Sequence, residues 1–312
     1  MPLNLIAIEE HFWTPELRSL RPAELIRDPE HAKRLDDLGE LRIREMDAVG
    51  IDMQVLSETA PAVHNLDPEK AVPLARRSND FLHEGIRAHP DRFAGFAALP
   101  VTDPKAAAEE LERAVTRLGF KGAMFMGLSK GRFLDDKFFW PIFERAQALD
   151  VPIYLHPSKP HQAVIDAYFK GYPALIGPSL GFGNEVLTMA LRLVVGGVLD
   201  AHPKLKVIIG HLGEGLPFLQ WRTDRSLARD AKLPRSFTDY VRQHFWITTS
   251  GAFSDAALRC SIDELGSDKV IFSVDYPYVK NDAARTWFDA APISEAERQA
   301  IASGNVKKLL KL

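Results

Sequence analysis

The stretch Asn4-Leu5-Ile6-Ala7-Ile8-Glu9-Glu10-His11-Phe12 decides the fold. It opens as a short apolar strand and ends in carboxylate and imidazole side chains. An open, doubly wound sheet carries a glycine-rich phosphate loop after its first strand, and Glu9-Glu10-His11-Phe12 is nothing like one. Working outward from this strand (4–8), further apolar or β-branched runs lie at 52–57, 93–98, 122–125, 152–155, 206–210, 245–248 and 270–273. Amphipathic stretches separate them, among them 106–118 with Leu111, Val115 and Leu118 at helical spacing. Asp103-Pro104, Asp135-Asp136 and the pair Ser294 and Glu297 read as helix starts. Strands alternating with helices predict a parallel sheet, and eight of them predict a TIM-type (β/α)8 barrel with its site at the strands' C-terminal ends.

The composition sets the remaining bounds. The chain has 312 residues, 46% of them hydrophobic and 26% charged, which excludes wholesale disorder. A single α/β barrel of about 250 residues fits within it. No repeat or composition break divides it, so 1–312 is expected to be one domain with a lid segment and short insertions. Lys and Arg number 39 against 42 Asp and Glu, a net charge of −3 that argues against nucleic-acid binding. Cys260 stands alone, which excludes an intrachain disulfide or a multi-cysteine metal site and leaves His, Asp and Glu as ligands. The first apolar run is too short for a signal peptide, and residues 187–199 fall short of a bilayer span. A cytoplasmic protein without a membrane partner is expected.

Two segments interrupt the alternation. Residues 13–46, with Trp13, Pro15, Pro22, Pro29 and a charged run that includes Arg34, Asp36, Asp37, Glu40, Arg42 and Arg44, read as a long loop plus a helix over the barrel mouth. They suggest a lid or subunit contact. Residues 159–183, rich in Pro, Gly and Tyr, read as irregular.

Ligand-type residues gather at one end of the barrel. Strand one ends in Glu9 and His11, strand five in His156, strand six in His211 and Glu214, and strand eight in Asp275. Alternate residues of an extended chain point to one side, so Glu9 and His11 face the axis together while Glu10 faces away. With His156 and Asp275 they form two imidazoles and two carboxylates, a set suited to one divalent ion: Zn2+, Mn2+ or Mg2+. A second metal is not expected, because Met126-Gly127 follows strand four where a carboxylate or lysine would be needed. His211 and Glu214 read as a proton-handling pair, the carboxylate fixing the imidazole's tautomer. Arg222 is a candidate for a substrate carboxylate, or for an ion pair with Asp224 or a neighbouring chain.

These residues resemble the amidohydrolase-2 branch of the amidohydrolase superfamily. The likeness rests on Glu9-Glu10-His11-Phe12, on Phe133-Leu134-Asp135-Asp136, and on residues 149–157 ending in Leu155-His156-Pro157. It extends through residues 210–218 with Gly210-His211-Leu212-Gly213-Glu214, and Phe272-Ser273-Val274-Asp275-Tyr276-Pro277. The branch includes the γ-resorcylate, 2,3-dihydroxybenzoate and 5-carboxyvanillate decarboxylases. The resemblance implies Glu9, His11, His156 and Asp275 as metal ligands and His211 and Glu214 as catalytic support. It puts Arg222 at the substrate, across a subunit interface, with Phe12 and Tyr276 also expected there. It implies a homodimer or homotetramer and no organic cofactor. Met126-Gly127 replaces an Asn-Gly pair often found in these decarboxylases, which removes a polar contact to a substrate hydroxyl.

The expected reaction is non-oxidative decarboxylation of a phenolic aromatic acid, with Asp275 donating a proton to the ring carbon. A neutral Asp275 needs a raised pKa, which a dry acidic site favours and a metal opposes. The alternative is a hydrolase or lactonase that uses metal-activated water with Asp275 as base. A third reading is a barrel without catalysis that serves as a scaffold.

Overall fold

The computed structural model describes residues 3–20 and 28–312. Its strands are β1 (Ile6–Phe12), β2 (Met53–Glu58), β3 (Phe93–Gly95), β4 (Ala123–Met126), β5 (Pro152–His156), β6 (Lys206–Ile209), β7 (Phe245–Thr248) and β8 (Val270–Ile271). They form two parallel sheets, β1-β2-β3 and β4 through β8 in order. Single parallel bridges join the sheets, Ala97 to Ala123 on one side and Glu10 to Tyr276 on the other, so the strands follow one another in a ring. Helices lie between them, as the alternation predicts. Asp103 caps the helix Pro104–Leu118 through Ala106 N, and Ser294 with Glu297 forms a full capping box.

Strand β1 is longer than its apolar run because all seven of its residues are buried. Ile6 and Ile8 pack inside the ring with Val55, Phe96, Met124, Met126, Tyr154, Ile208 and Ile271. Leu5, Ala7 and Phe12 pack outside, against the helices. Strict alternation from Ile6 and Ile8 would turn Glu10 and Phe12 inward. The register prevents it: Ala7 pairs with Gln54 but Glu10 pairs with Leu56, three steps on β1 against two on β2. This β-bulge reverses the phase and brings Glu9 and His11 to the axis.

A bulge leaves backbone donors without ladder partners. Here Ile8 N and Glu9 N both donate to Ser273 Oγ, at 3.3 and 2.8 Å. That hydroxyl donates in turn to Glu10 Oε1 at 3.0 Å, so its two lone pairs and its proton are all used. The Glu10 carboxylate also accepts from Val274 N, Tyr276 N and Gln54 Nε2, at 2.9, 3.2 and 3.3 Å. Burial pushes its carboxyl up to about 8, against the opposing pull of these donors.

The 13–46 segment holds three helices among its described residues, Pro15–Ser19, Pro29–Asp36 and Glu40–Asp47, where a loop and one helix were expected. Pro22 lies outside the described residues. Its charged run is not wholly a solvated face. Arg42 is fully buried, donating from Nη2 to His11 O at 2.6 Å and from Nη1 to Gln54 Oε1 at 3.2 Å. It also lies 4.6 Å from the Tyr276 ring centre. Arg42 thereby ties the segment to β1.

Replacing Ser273 by Ala strands the Ile8 and Glu9 N–H groups in the interior. We expect a loss of about 3 kcal/mol in urea unfolding. A variant as stable as the parent would mean that the bulge does not depend on this hydroxyl.

Candidate metal centre

Glu9, His11, His156 and Asp275 converge: each offers one ligand atom, and these atoms lie within 4.8 Å of one another. His11 Nε2 is 3.4 Å from Asp275 Oδ1, and His156 Nε2 is 3.4 Å from Glu9 Oε1. The two imidazoles meet edge to face, centroids 4.8 Å apart at 82°. His156 Nδ1 lies 2.8 Å from the Pro157 carbonyl, which can only accept, so Nδ1 carries the proton and Nε2 presents its lone pair to the cluster. Ser57 Oγ orients His11 through Nδ1 at 3.2 Å.

The Glu9 carboxylate divides its labour. Oε2 accepts from the hydroxyls of Tyr154 and Ser250 and, at 3.4 Å, from that of Thr248. Oε1 has no hydrogen-bond partner although buried, and neither has His11 Nε2. Two orphaned buried lone pairs aimed at one point fit a cation between them. Burial raises the Glu9 carboxyl above its ordinary value against the pull of His211, and a divalent ion would reverse that shift.

His211 and Glu214 stand beside the cluster on a strained turn. Residues 211 to 215 all have positive φ, including the non-glycine His211, Leu212 and Glu214 at 52°, 53° and 52°. Such residues cost about 1 kcal/mol each, and the turn holds His211 Nδ1 2.7 Å from Glu214 Oε1. The other nitrogen faces Glu9 Oε1 at 3.7 Å and Asp275 Oδ2 at 3.9 Å. Burial opposes the charge on His211, but Glu9, Asp275 and Glu214 together outweigh it and hold the imidazole well above its ordinary value.

Asp275 also has a left-handed backbone, φ 76°. Burial disfavours its charge, yet the facing imidazoles of His11 and His211 hold its carboxyl well below the usual carboxylate range. Of the two opposing influences on Asp275, the charged one prevails: two imidazoles face it, and they outweigh the neighbouring carboxylate and the dry surroundings.

Three other expected residues are not brought to the cluster. Phe12 is buried outside the ring, stacked on Phe81 at 6.3 Å, because the phase that turns His11 inward turns Phe12 outward. Tyr276 is buried and donates its hydroxyl to Glu45 Oε2 at 2.8 Å. Arg222 is exposed on the helix Leu216–Asp230. An aromatic residue that does border the cluster is Tyr278, its ring 5.6 Å from His11. Alternation beyond His11 was the available signal against Phe12, whereas nothing local distinguishes Tyr278 from Tyr276.

Comparison with known proteins follows from this geometry. The amidohydrolase family model matches residues 6–312. The chain belongs to the amidohydrolase family. This amidohydrolase is 44% identical to a γ-resorcylate decarboxylase of Polaromonas sp. strain JS666, over 98% of either chain. A crystal structure of a dihydroxybenzoic acid decarboxylase from the same strain, with bound manganese and the inhibitor 2-nitroresorcinol, superposes with a TM-score of 0.92 at 42% identity. It covers 99% of this chain and 97% of that one. The 5-carboxyvanillate decarboxylase of Sphingomonas paucimobilis superposes at 0.93 with 34% identity, covering 99% of each. The barrel and the family expected from the strand ends are those found.

The backbone at the end of β6 approaches Glu9 closely. A Cβ at Gly210 would lie 2.6 Å from Glu9 Oε2 and 3.1 Å from Ser250 Oγ. Gly210→Ala should therefore displace the carboxylate and lower manganese affinity at least ten-fold in a calorimetric titration. Unchanged affinity would remove Glu9 from the ligand set.

Proposed function

We propose that the protein is a metal-dependent, non-oxidative decarboxylase of a phenolic aromatic acid. The observation that carries this reading is the buried Glu9–His11–His156–Asp275 cluster, in a chain so similar along its length to γ-resorcylate decarboxylases. These four residues would hold one divalent ion, manganese or zinc, with no organic cofactor. When bound, the ion supplies Lewis-acid polarisation and two-point orientation of a carboxylate and its neighbouring phenolic oxygen.

The chain's own groups manage the proton. His211 stores it, stabilised by Glu214 on Nδ1, with Nε2 directed at Asp275. Asp275 begins each turnover as an anion, and the proton held by His211 passes through it to the ring carbon that bears the carboxylate in one relay, without resting on Asp275. The bond to that carboxylate then breaks, its electrons restore the aromatic ring, and carbon dioxide leaves. Solvent returns one proton to His211. Tyr154, Thr248 and Ser250 keep Glu9 in place throughout.

The test is carbon dioxide release from 2,6-dihydroxybenzoate by manganese-loaded protein. Chelation should abolish it, and Asp275→Asn should lower kcat by at least 1000-fold while metal still binds. Lactone opening without carbon dioxide release from any phenolic acid would establish the hydrolase instead.

The pH profile offers a second check. His211 must be protonated, and its pKa is raised partly by Glu214, so activity falls as pH rises through that pKa. Glu214→Gln should move this alkaline limb to lower pH. An unmoved limb would remove His211 from the proton path.

Arg222 enters the proposal through a second copy of the chain. It shares its helix with Phe218 and Trp221, which are 82% and 66% exposed, an unusual pair of large apolar side chains in water. We assign this face to a homodimer or homotetramer contact that carries Arg222 toward a neighbouring site. Trp221→Glu should dissociate the oligomer in sedimentation experiments, and a parent chain that sediments as a monomer would overturn the assignment.

A further inference from the structure

A buried acid away from the cluster, Glu185, takes no part in the proton path. It lies in the helix Gly181–Val195, beside the stripe where Val186, Met189, Ala190 and Leu193 pack into the core. It is 5% exposed, and a carboxyl in such a place costs stability unless something answers it. The side chain reaches the turns that leave β4 and β5. A Cβ at Gly127 would lie 2.4 Å from Ser158 Cβ and 2.7 Å from Glu185 Oε1, so two backbones and the acid meet at one point. Burial pushes the Glu185 carboxyl up to about 8, against the pull of the Leu128 and Ser158 N–H groups that face it. Neither N–H is aligned to close a full hydrogen bond, and neither oxygen has another partner.

The Ser158 N–H belongs to the same peptide unit as the Pro157 carbonyl, and in a trans unit the two point in opposite directions. The carbonyl end takes the proton of His156 Nδ1 at 2.8 Å, and the N–H end faces Glu185. The neighbouring turn is tied to the same histidine, because Gly127 N donates to His156 O at 2.9 Å.

We propose that Glu185 is a positioning residue, which fixes the candidate metal ligand His156 through the Pro157–Ser158 peptide. The inference rests on the metal centre of the reading above and not on the reaction assigned to it. Two effects follow from the geometry. An acid wedged against the N–H end stops the peptide plane from turning, so the carbonyl stays on Nδ1 and Nε2 stays toward Glu9. The acid also polarises the N–H and makes the carbonyl a stronger acceptor, since polar groups in series reinforce one another. A stronger acceptor on Nδ1 makes Nε2 a better ligand. An apolar side chain of similar size would fill the space without polarising the peptide.

The test is manganese affinity, read from the free-ion signal in electron paramagnetic resonance, which follows weak sites as well as tight ones. Glu185→Leu should weaken binding about ten-fold. Glu185→Gln, which keeps the shape and one acceptor, should recover most of that loss. The Leu substitution in a His156→Ala background should cost no further affinity, because its intermediary is gone. Unchanged affinity in Glu185→Leu would overturn the proposal. So would an equal loss in both backgrounds, since the acid would then support the fold at large. If Glu185→Leu does not fold, the loss of about two-fold expected of Glu185→Gln goes through the same cycle and must vanish with His156. A parent that binds no manganese would overturn the proposal together with the centre. Carbon dioxide release is measured separately. If the parent releases none while the cycle behaves as expected, the decarboxylase reading fails and the role of Glu185 stands.

Discussion

One additional residue in β1 governs the centre. Without the bulge between Ala7 and Glu10, the inward phase set by Ile6 and Ile8 would place Glu10 and Phe12 at the axis and exile Glu9 and His11. The bulge exposes two N–H groups that an interior cannot leave unanswered. Ser273 answers both, and Glu10 answers Ser273. A buried acid outside the cluster therefore sets the phase of the acid within it.

The cluster is in electrostatic balance before any ion enters. Glu9 and Asp275 bring negative charge into a dry site, and His211 brings a positive charge that favours both. Burial is unequal in its effect: Glu9 has one oxygen without a partner and is pushed toward its neutral form, whereas Asp275 faces two imidazoles and stays ionised. The two carboxylates thus differ through their neighbours alone.

Much of this arrangement was legible in the sequence. Glu9, His11, His156, His211 and Asp275 each end an apolar run, and residues that end successive parallel strands share one face of a barrel. That Glu9 and His11 share a side was legible too, but not the bulge that turns that side inward, since the supports of Glu10 at 273, 274 and 276 belong to the far end of the chain. Phe12 and Tyr276 adjoin His11 and Asp275 in sequence, yet their side chains turn to Phe81 and Glu45, away from the cluster. The burial of Arg42 was hidden within a run of charges, where composition points to solvent. Among the large aromatic residues, Trp13 and Phe139 are core, while Trp221 is exposed.

The contacts between Glu10 and the residues after β8 join positions 263 to 266 residues apart, close to the full reach of the chain. This has a consequence for biogenesis. While the chain is being made, seven strands can pair with predecessors already present, but β1 must wait for its last neighbour. Until that segment emerges from the ribosome, the bulge is uncapped and Glu9 and His11 have no Asp275 to meet. Closure of so long a loop comes late on entropic grounds. The centre is therefore assembled as the final act of folding, and a nascent or prematurely ended chain presents no complete ligand set to the ions of the cell.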